Sequence, residues 1–210
     1  MKDRLTRPGN AGCALARRVS GSQDRWTALW HAAGTAGARG PLLALVQEQH
    51  RRNFDLWHEE DKARAPDATA ARIAAVKRNI DRLNQQRNDL IEQLDEHIGG
   101  TLAARKLRPR PGASWNSETP GAVIDRLSIL SLKIYHMREQ SRRQDAGAEH
   151  RSKCRARLVL LRQQRRDLAA ALAELFADLW AGRKQMKLYR QFKMYNDPAL
   201  NPAIYRAKGP

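Results

Sequence analysis

The sequence predicts an all-α protein that folds as an antiparallel helical bundle, and three observations support this prediction. Apolar residues recur every three or four positions over several long segments, which is the spacing of one buried helix face. No segment alternates apolar and polar residues as a half-buried strand does. The segment 83–94 also returns in register at 161–172. Long helices joined by turns pack as an antiparallel bundle.

The first part of the chain divides into an extension and two helices. We expect residues 1–22 to form a basic, flexible extension because they hold Gly, Pro, Ser and Arg without periodicity. A short helix is predicted over 23–33, and the glycine-containing segment 34–40 interrupts the chain. The next helix begins after Pro41 and ends before Pro66.

Two further helices are marked by capping residues. Asp67 or Thr69 caps a long helix that we expect to stop at the pair of glycines with which the segment 99–118 begins. That segment contains prolines and no periodic pattern, so it is predicted to be a loop. Thr119 is the predicted N-cap of the helix that follows, with Pro120 at its first helical position.

The C-terminal part of the chain completes the bundle. A turn at 145–147 leads into the last long helix, which is predicted to end at Gly182. The segment after it is rich in aromatic residues, and we expect it to form a C-terminal arm packed on the bundle. A single helical-bundle domain is therefore predicted over 23–205, followed by a tail at 206–210.

The repeated segments 83–94 and 161–172 each carry an arginine on the apolar helix face, Arg87 in the first copy and Arg165 in the second. A guanidinium inside a bundle needs anionic or carbonyl partners, or its burial costs several kcal/mol. Two interpretations stay open: buried ion pairs with aspartates such as Asp125, or an anion pocket between helices. The repeat itself indicates an internal duplication with a pseudo-twofold axis, or convergence on good helix formers.

The composition describes a strongly basic chain. The formal net charge is +17, which attracts nucleic acid, anionic lipid headgroups or phosphorylated substrates. No motif that reads nucleic acid accompanies this charge, so nucleic-acid binding is disfavoured, while peripheral membrane contact stays open. No apolar run approaches the ~20 residues of a membrane span, and no secretory signal is recognisable. Cys13 and Cys154 have no metal-binding spacing. We expect a cytoplasmic protein.

One helix face combines an aromatic ring with charged groups. Trp57, Asp61 and Arg64 are spaced four and three residues apart and share a face. Trp57 offers a stacking surface for a sugar or base, and Asp61 a hydroxyl acceptor or general base. His136, on another helix, is the second candidate acid or base. The alternative is an ordinary amphipathic helix end with an ion pair between Glu60 and Arg64.

Nine residues are predicted to bind a ligand because their side chains are polar or aromatic and share helix faces directed between helices or lie beside a turn. They are Trp57, Asp61, Arg64, Asn84, Arg87, Asp125, Lys133, Arg165 and Lys193. We predict no metal site and no cofactor. The Glu-x-x-His signature of dimetal bundles is absent, His50 and His58 are two helical turns apart, and there is no phosphate-binding glycine loop.

Four segments in order, 53–64, 77–89, 118–137 and 191–198, carry a resemblance to a known family. Over about residues 23–205 the chain resembles the bacterial family known as domain of unknown function 4254. The resemblance implies a cytosolic helical protein whose genes often lie near glycosyltransferases of surface-polysaccharide assembly. It implies no established activity.

Three functional hypotheses follow. The first is an accessory protein of surface-polysaccharide or lipopolysaccharide synthesis that binds a phosphorylated sugar, a nucleotide sugar or a glycosyltransferase. The second is an all-α enzyme for a small polyanion, in the manner of the helical chorismate mutases, with Arg87, Arg165 and Lys133 as the clamp and Asp61 or His136 moving protons. The third is a basic nucleic-acid or membrane-surface binder.

Overall fold

The computed structural model of the protein describes residues 8–35, 37–188, 190, 191 and 199–202, with side chains from Gly12 onward. Five helices make up nearly all of the regular structure in this part of the chain: α1 Pro8–His31, α2 Pro41–Ala63, α3 Ala70–Ala104, α4 Pro120–Arg142 and α5 Ala148–Trp180. Two short strands, β1 Ser114–Trp115 and β2 Lys184–Gln185, pair in parallel. The predicted all-α bundle is confirmed.

The helices pack as two hairpins with α1 laid against them. α2 and α3 lie along each other, as do α4 and α5, and α1 packs mainly on α5 and α4. Each helix contributes to one apolar core, represented by Val19, Val46, Leu94, Leu127 and Phe176. None of the helices in the described segments is long and apolar enough to cross a membrane.

Side-chain caps start two of the helices as predicted. Thr69 accepts a hydrogen bond from the backbone N–H of Arg72 at the start of α3. Thr119 accepts from the backbone N–H of Ala122, and Pro120 occupies the first position of α4. These hydroxyl groups satisfy N–H groups that have no partner within the helix.

The start of α4 is also held tightly against α3. The carboxylate of Asp95 accepts a hydrogen bond of 2.7 Å from the backbone N–H of Gly121. A Cβ atom at Gly121 would lie 2.7 Å from the carbonyl oxygen of Ile91 and 2.8 Å from that carboxylate, so only glycine permits this approach. Burial raises the pKa of Asp95 to about 6.

The expected flexible extension over 1–22 is wrong for residues 8–22, which belong to α1. Ala16 and Val19 are fully buried in the core. The small residues in this segment serve close packing: a Cβ at Gly12 would lie 2.9 Å from the carbonyl oxygen of Ala173 on α5. Residues 1–7 lie outside the described part of the chain.

The predicted stop of α3 at the glycine pair is also wrong, because the helix continues to Ala104. Ile98 is buried, and Leu102, one turn later, packs on the same core, so tertiary contact keeps the last turn helical despite the glycines. The loop therefore begins at residue 105. The end of α5 is as expected, with Gly182 at a φ of 67° just beyond it.

The described part of the C-terminal arm contacts the bundle. Arg190 forms ion pairs with Glu92 and Glu96 of α3, and Gln185 donates to the carbonyl of Ala113 in the preceding loop. The predicted tail at 206–210 lies outside the described residues.

Candidate functional site

A buried chain of hydrogen-bonded polar side chains crosses the bundle between α1, α2 and α4. At its centre, His50 Nε2 lies 2.9 Å from Thr27 Oγ1 and His50 Nδ1 lies 2.7 Å from Ser128 Oγ. Thr27 donates its hydroxyl proton to the carbonyl of Gln23, so it accepts from Nε2 while Ser128 donates to Nδ1. Burial lowers the pKa of His50 to about 3. The ring is therefore neutral, and both of its nitrogens are satisfied.

Arg165 closes one end of this chain. The hydroxyl of Ser131, which lies 3.2 Å from that of Thr27, donates to Asp24 at 2.8 Å. Arg165 donates to the other oxygen of Asp24 at 2.7 Å and to the carbonyl of Ser20 at 2.8 Å. Only 11% of the Arg165 side chain is exposed. Arg165 thus ties α5 to α1 through an ion pair whose arginine is nearly buried and whose aspartate is half exposed.

Arg87 lies at the other end and is much less firmly held. Its Nε atom is 3.9 Å from Asp125 Oδ1, and this buried Nε has no hydrogen-bond partner within the described part of the chain. The same Asp125 oxygen already accepts from Gln49 at 2.5 Å and from Asn53 at 2.8 Å. The contact from Arg87 to the side chain of Asn88 is 3.4 Å long. Arg87 therefore carries donors that the described side chains leave largely unused.

Arg87 opens into a cleft of about 430 Å³ between α2, α3 and α4, which we call the Trp57 cleft. Its lining residues are Asn53, Leu56, Trp57, Glu60, Asp61, Arg64, Asn84, Arg87, Ile129 and Leu132. The cleft brings together five of the nine residues that the sequence predicted to bind a ligand. The expected helix-end ion pair is present as well, since Arg64 donates to Glu60 at 2.5 Å.

A second cavity, of about 600 Å³, adjoins the Trp57 cleft and shares Trp57 and Asp61 with it. Lys133 and His136 of α4 line this second cavity, together with residues of α5. The indole of Trp57 stacks on the imidazole of His136, with ring centroids 4.6 Å apart and planes 7° from parallel. The two candidate proton carriers, Asp61 and His136, thus line the same cavity.

The remaining predicted site residues lie elsewhere. Asp125 lies behind Arg87 and belongs to the buried chain, and burial raises its pKa. Arg165 forms its ion pair with Asp24 of α1 and not with Asp125. It does not line the Trp57 cleft with Arg87. Lys193 lies outside the described residues.

Three histidines from three helices meet beside the second cavity. They are His31 of α1, His58 of α2 and His136 of α4, and one ring nitrogen of each lies within 4.8 Å of the others. Histidines are common ligands of transition metals. Sequence spacing considered His58 only against His50 and did not consider His31, because it compares positions along one helix and the three histidines meet only through helix packing.

A protein-family model matches residues 43–188, a shorter span than the 23–205 expected from the sequence. The chain belongs to the family described as a protein of unknown function (DUF4254). All residues of the Trp57 cleft and of the second cavity fall within the match, whereas His31 precedes it. No curated protein matches the chain, and no solved structure matches it.

A groove lined by exposed arginines lies apart from these cavities in this DUF4254 protein. Four arginines, Arg17, Arg18, Arg25 and Arg39, line a groove of about 670 Å³ between α1 and the start of α2. These side chains are exposed. The groove therefore provides a positive electrostatic potential that attracts polyanions, and not a closed binding site. The third hypothesis, a basic nucleic-acid or membrane-surface binder, rests on the net charge of +17 alone and stays a prediction.

Proposed function

We propose that this DUF4254 protein is a cytoplasmic accessory protein of bacterial surface-polysaccharide assembly that binds a phosphorylated sugar or nucleotide sugar in the Trp57 cleft. The observation that carries the proposal is the state of Arg87. Among the described residues its buried Nε has no hydrogen-bond partner, its side-chain contact to Asn88 is 3.4 Å long, and the nearest carboxylate oxygen already accepts two other hydrogen bonds. A phosphate oxygen would supply the acceptors that the guanidinium lacks.

The other lining groups suit the sugar part of such a ligand. Trp57 is half-buried at the wall of the cleft, and an indole presents an apolar face or edge against which the C–H groups of a sugar ring pack. Asp61 forms no ion pair with the described residues, so its carboxylate is free to accept from hydroxyl groups. The side-chain amide of Asn84 adds both a donor and an acceptor.

The biosynthetic setting of the proposal comes from the family resemblance and not from the geometry. A protein that holds a phosphorylated sugar without transforming it would deliver the sugar to a glycosyltransferase or regulate that enzyme. A glycosyltransferase is therefore the proposed protein partner, and the cytoplasm the proposed location, because nucleotide sugars are the donors that such enzymes use.

The test is a binding titration of the purified protein, by calorimetry and thermal shift, with nucleotide sugars, sugar phosphates, unphosphorylated sugars and inorganic phosphate. We expect binding of the phosphorylated sugars and a stabilisation that grows with ligand concentration. Arg87→Ala should weaken binding at least 10-fold, which corresponds to about 1.4 kcal/mol. Arg82→Ala is the matched control, because Arg82 is an exposed arginine on the same helix and lies outside the cleft.

The outcomes separate the hypotheses. Equal binding by wild type and the Arg87→Ala variant, or no binding of any phosphorylated sugar, would overturn the proposal. Consumption of the bound compound over time would make the protein an enzyme, and Asp61 and His136 would then be the residues to replace. Binding of inorganic phosphate alone, with no gain from the sugar, would remove Trp57 and Asp61 from the recognition site.

A further inference from the structure

We propose that His31, His58 and His136 form a binding site for one first-row transition metal ion, with Zn²⁺ as the leading candidate. This inference is independent of the proposed sugar ligand. It depends on the convergence of three imidazole rings from α1, α2 and α4, with one ring nitrogen of each within 4.8 Å of the others. Three histidines are the protein ligand set of a known class of zinc site.

The hydrogen bonds of the three rings fix which nitrogen is available to a metal. Nδ1 of His31 lies 2.7 Å from the carbonyl oxygen of Thr27, and Nδ1 of His58 lies 2.8 Å from that of Phe54. Nδ1 of His136 lies 2.9 Å from a carboxylate oxygen of Glu139. Carbonyl and carboxylate oxygens only accept, so each Nδ1 carries the proton. In each neutral ring, Nε2 therefore holds the lone pair.

This arrangement is the one found around metal-bound histidines, which donate their other ring N–H to a carbonyl or carboxylate oxygen. Such a partner fixes the tautomer and the orientation of the ring before the metal arrives. All three rings have a partner of this kind, two through backbone carbonyls of their own helices and one through Glu139. The outer shell of a metal site is therefore already present.

Two of the three Nε2 atoms are also buried without a partner. Nε2 of His31 and Nε2 of His136 have no hydrogen bond to any described residue and almost no contact with solvent. Buried polar atoms are normally satisfied, and an exception calls for an explanation such as a bound ion. His50 provides the internal comparison: it is buried in the same bundle, but both of its nitrogens are hydrogen-bonded. The unused lone pairs of His31 and His136 are thus not shared by His50, although two buried glutamine oxygens, of Gln23 and Gln49, also have no partner among the described residues.

The spacing of the rings needs only a small adjustment. Nitrogens around a tetrahedral Zn²⁺ at about 2.0–2.1 Å lie about 3.3 Å from one another. Ring nitrogens at most 4.8 Å apart must therefore approach by up to about 1.5 Å, which small side-chain rotations can supply. Three protein ligands leave the fourth position of a tetrahedral ion for water or a substrate atom.

The test uses the full chain, purified without a histidine tag and stripped of metal with a chelator. After incubation with one metal at a time and removal of excess, bound Zn²⁺ and Co²⁺ are quantified by mass spectrometry. We expect one ion per chain, a rise in melting temperature, and the visible absorption of Co²⁺ in a tetrahedral nitrogen site. Binding should weaken as the pH falls below 6, because protons compete for the ligand nitrogens.

Variants distinguish the site from adventitious binding. His58→Ala and His136→Ala should each weaken Zn²⁺ binding by about 100-fold or more, since even changes in outer-shell partners cost 10- to 100-fold. His97→Ala is the matched control, because His97 lies on α3 outside the cluster and its removal should leave affinity unchanged. Glu139→Gln, an exposed change, should weaken binding about 10-fold without affecting the fold of the metal-free chain.

Failure of wild-type chain to hold a stoichiometric ion at micromolar Zn²⁺ would overturn the proposal. Equal loss of affinity in His97→Ala and His58→Ala would do the same. Arg87→Ala should keep full metal affinity, so the metal site and the sugar-phosphate cleft can succeed or fail separately. If His58→Ala does not fold, Glu139→Gln and the wild-type stoichiometry still decide the matter.

Discussion

Arg87 and Arg165 occupy the same place in a repeated sequence but have different surroundings. Each lies in the second helix of a helical hairpin, α3 in one and α5 in the other. Arg165 is closely paired with Asp24 and with a backbone carbonyl. Arg87 stays 3.9 Å from a carboxylate that serves other donors. The repeat therefore sets the position of each arginine on its own helix. The residues of the neighbouring helix, α1 for Arg165 and α4 for Arg87, determine which hydrogen bonds and ion pairs that arginine forms.

The difference comes from which residue each arginine meets. α1 presents Asp24, whose side chain is half exposed and has an oxygen free for Arg165. α4 presents Asp125, which is enclosed and already holds two side-chain amides of α2. The Nε atoms of both arginines are buried without a hydrogen-bond partner among the described residues, so the difference lies in the terminal nitrogens. Those of Arg165 have close acceptors in Asp24 and Ser20 and suit a structural contact, whereas Arg87 makes only a 3.4 Å contact to Asn88 beside a cleft and suits an anion.

The largest expected effect is on stability, and it contrasts the two arginines directly. Arg165→Ala should lower the free energy of unfolding by about 2 kcal/mol, because it leaves a backbone carbonyl and the half-exposed carboxylate of Asp24 without their charged donor. Arg87→Ala should cost less than about 1 kcal/mol, because the interactions of Arg87 with Asp125 and Asn88 are long and weak. Urea unfolding followed by circular dichroism measures both.

Arg165→Lys controls for charge alone. A lysine keeps the charge but cannot donate in the planar, two-pronged way of arginine, so an intermediate loss of stability is expected. Equal destabilisation by Arg165→Ala and Arg87→Ala would contradict the contrast, since it would mean that both arginines are structural.

The second expected effect concerns the buried chain that joins the two arginine environments. His50 has a pKa of about 3 in the folded protein and an ordinary value of 6.5. Between these values the unfolded chain binds a proton at His50 that the folded chain does not, so the contribution of His50 to stability is full above pH 6.5 and falls as the pH falls. Asp95, whose pKa burial raises to about 6, contributes the opposite slope below pH 6, so the effect of His50 is measured as the difference between wild type and a His50 variant. The slope for one such group is about 1.4 kcal/mol for each pH unit. Urea titrations at pH 7, 6 and 5 measure it.

His50→Gln is the control for this pH effect, because glutamine is polar but does not titrate. The variant should be less stable at pH 7 yet lose this contribution to the slope. If the free energy of unfolding changes with pH as steeply in His50→Gln as in the wild type, the pH dependence belongs to other groups. His50 would then accept a proton within the folded protein as readily as in the unfolded chain.

The sequence predicted those features that depend on neighbours along one helix. The spacing of Trp57, Asp61 and Arg64 placed them on one cleft, and Thr119 and Pro120 marked the start of α4. Helix periodicity and capping are local, so a single sequence reveals them. The same reasoning placed Arg87 and Arg165 inside the bundle but gave no means of telling their roles apart.

Features that depend on packing between distant segments were missed. Gly12 looked like part of a loose extension, although it allows α1 to lie closely against α5. His31, His58 and His136 are far apart in sequence, and only the crossing of three helices brings their rings together. No periodicity within one segment records such a meeting, because it depends on the register between helices.

The smallest expected effect would sharpen the contrast at Arg87. Asp125→Asn should change stability by less than about 1 kcal/mol: the amide oxygen still accepts from Gln49 and Asn53, and a carboxylate whose pKa burial raises is removed. It also removes the charge that competes for Arg87, so affinity for a phosphorylated ligand should rise by roughly threefold to tenfold.

Asp24→Asn is the counterpart at Arg165. It should cost more stability, about 1–2 kcal/mol, and leave ligand affinity unchanged. Calorimetric titration of both variants measures the difference. Weaker ligand binding in Asp125→Asn would mean that Asp125 orients Arg87, and that the two arginines are more alike than their surroundings indicate.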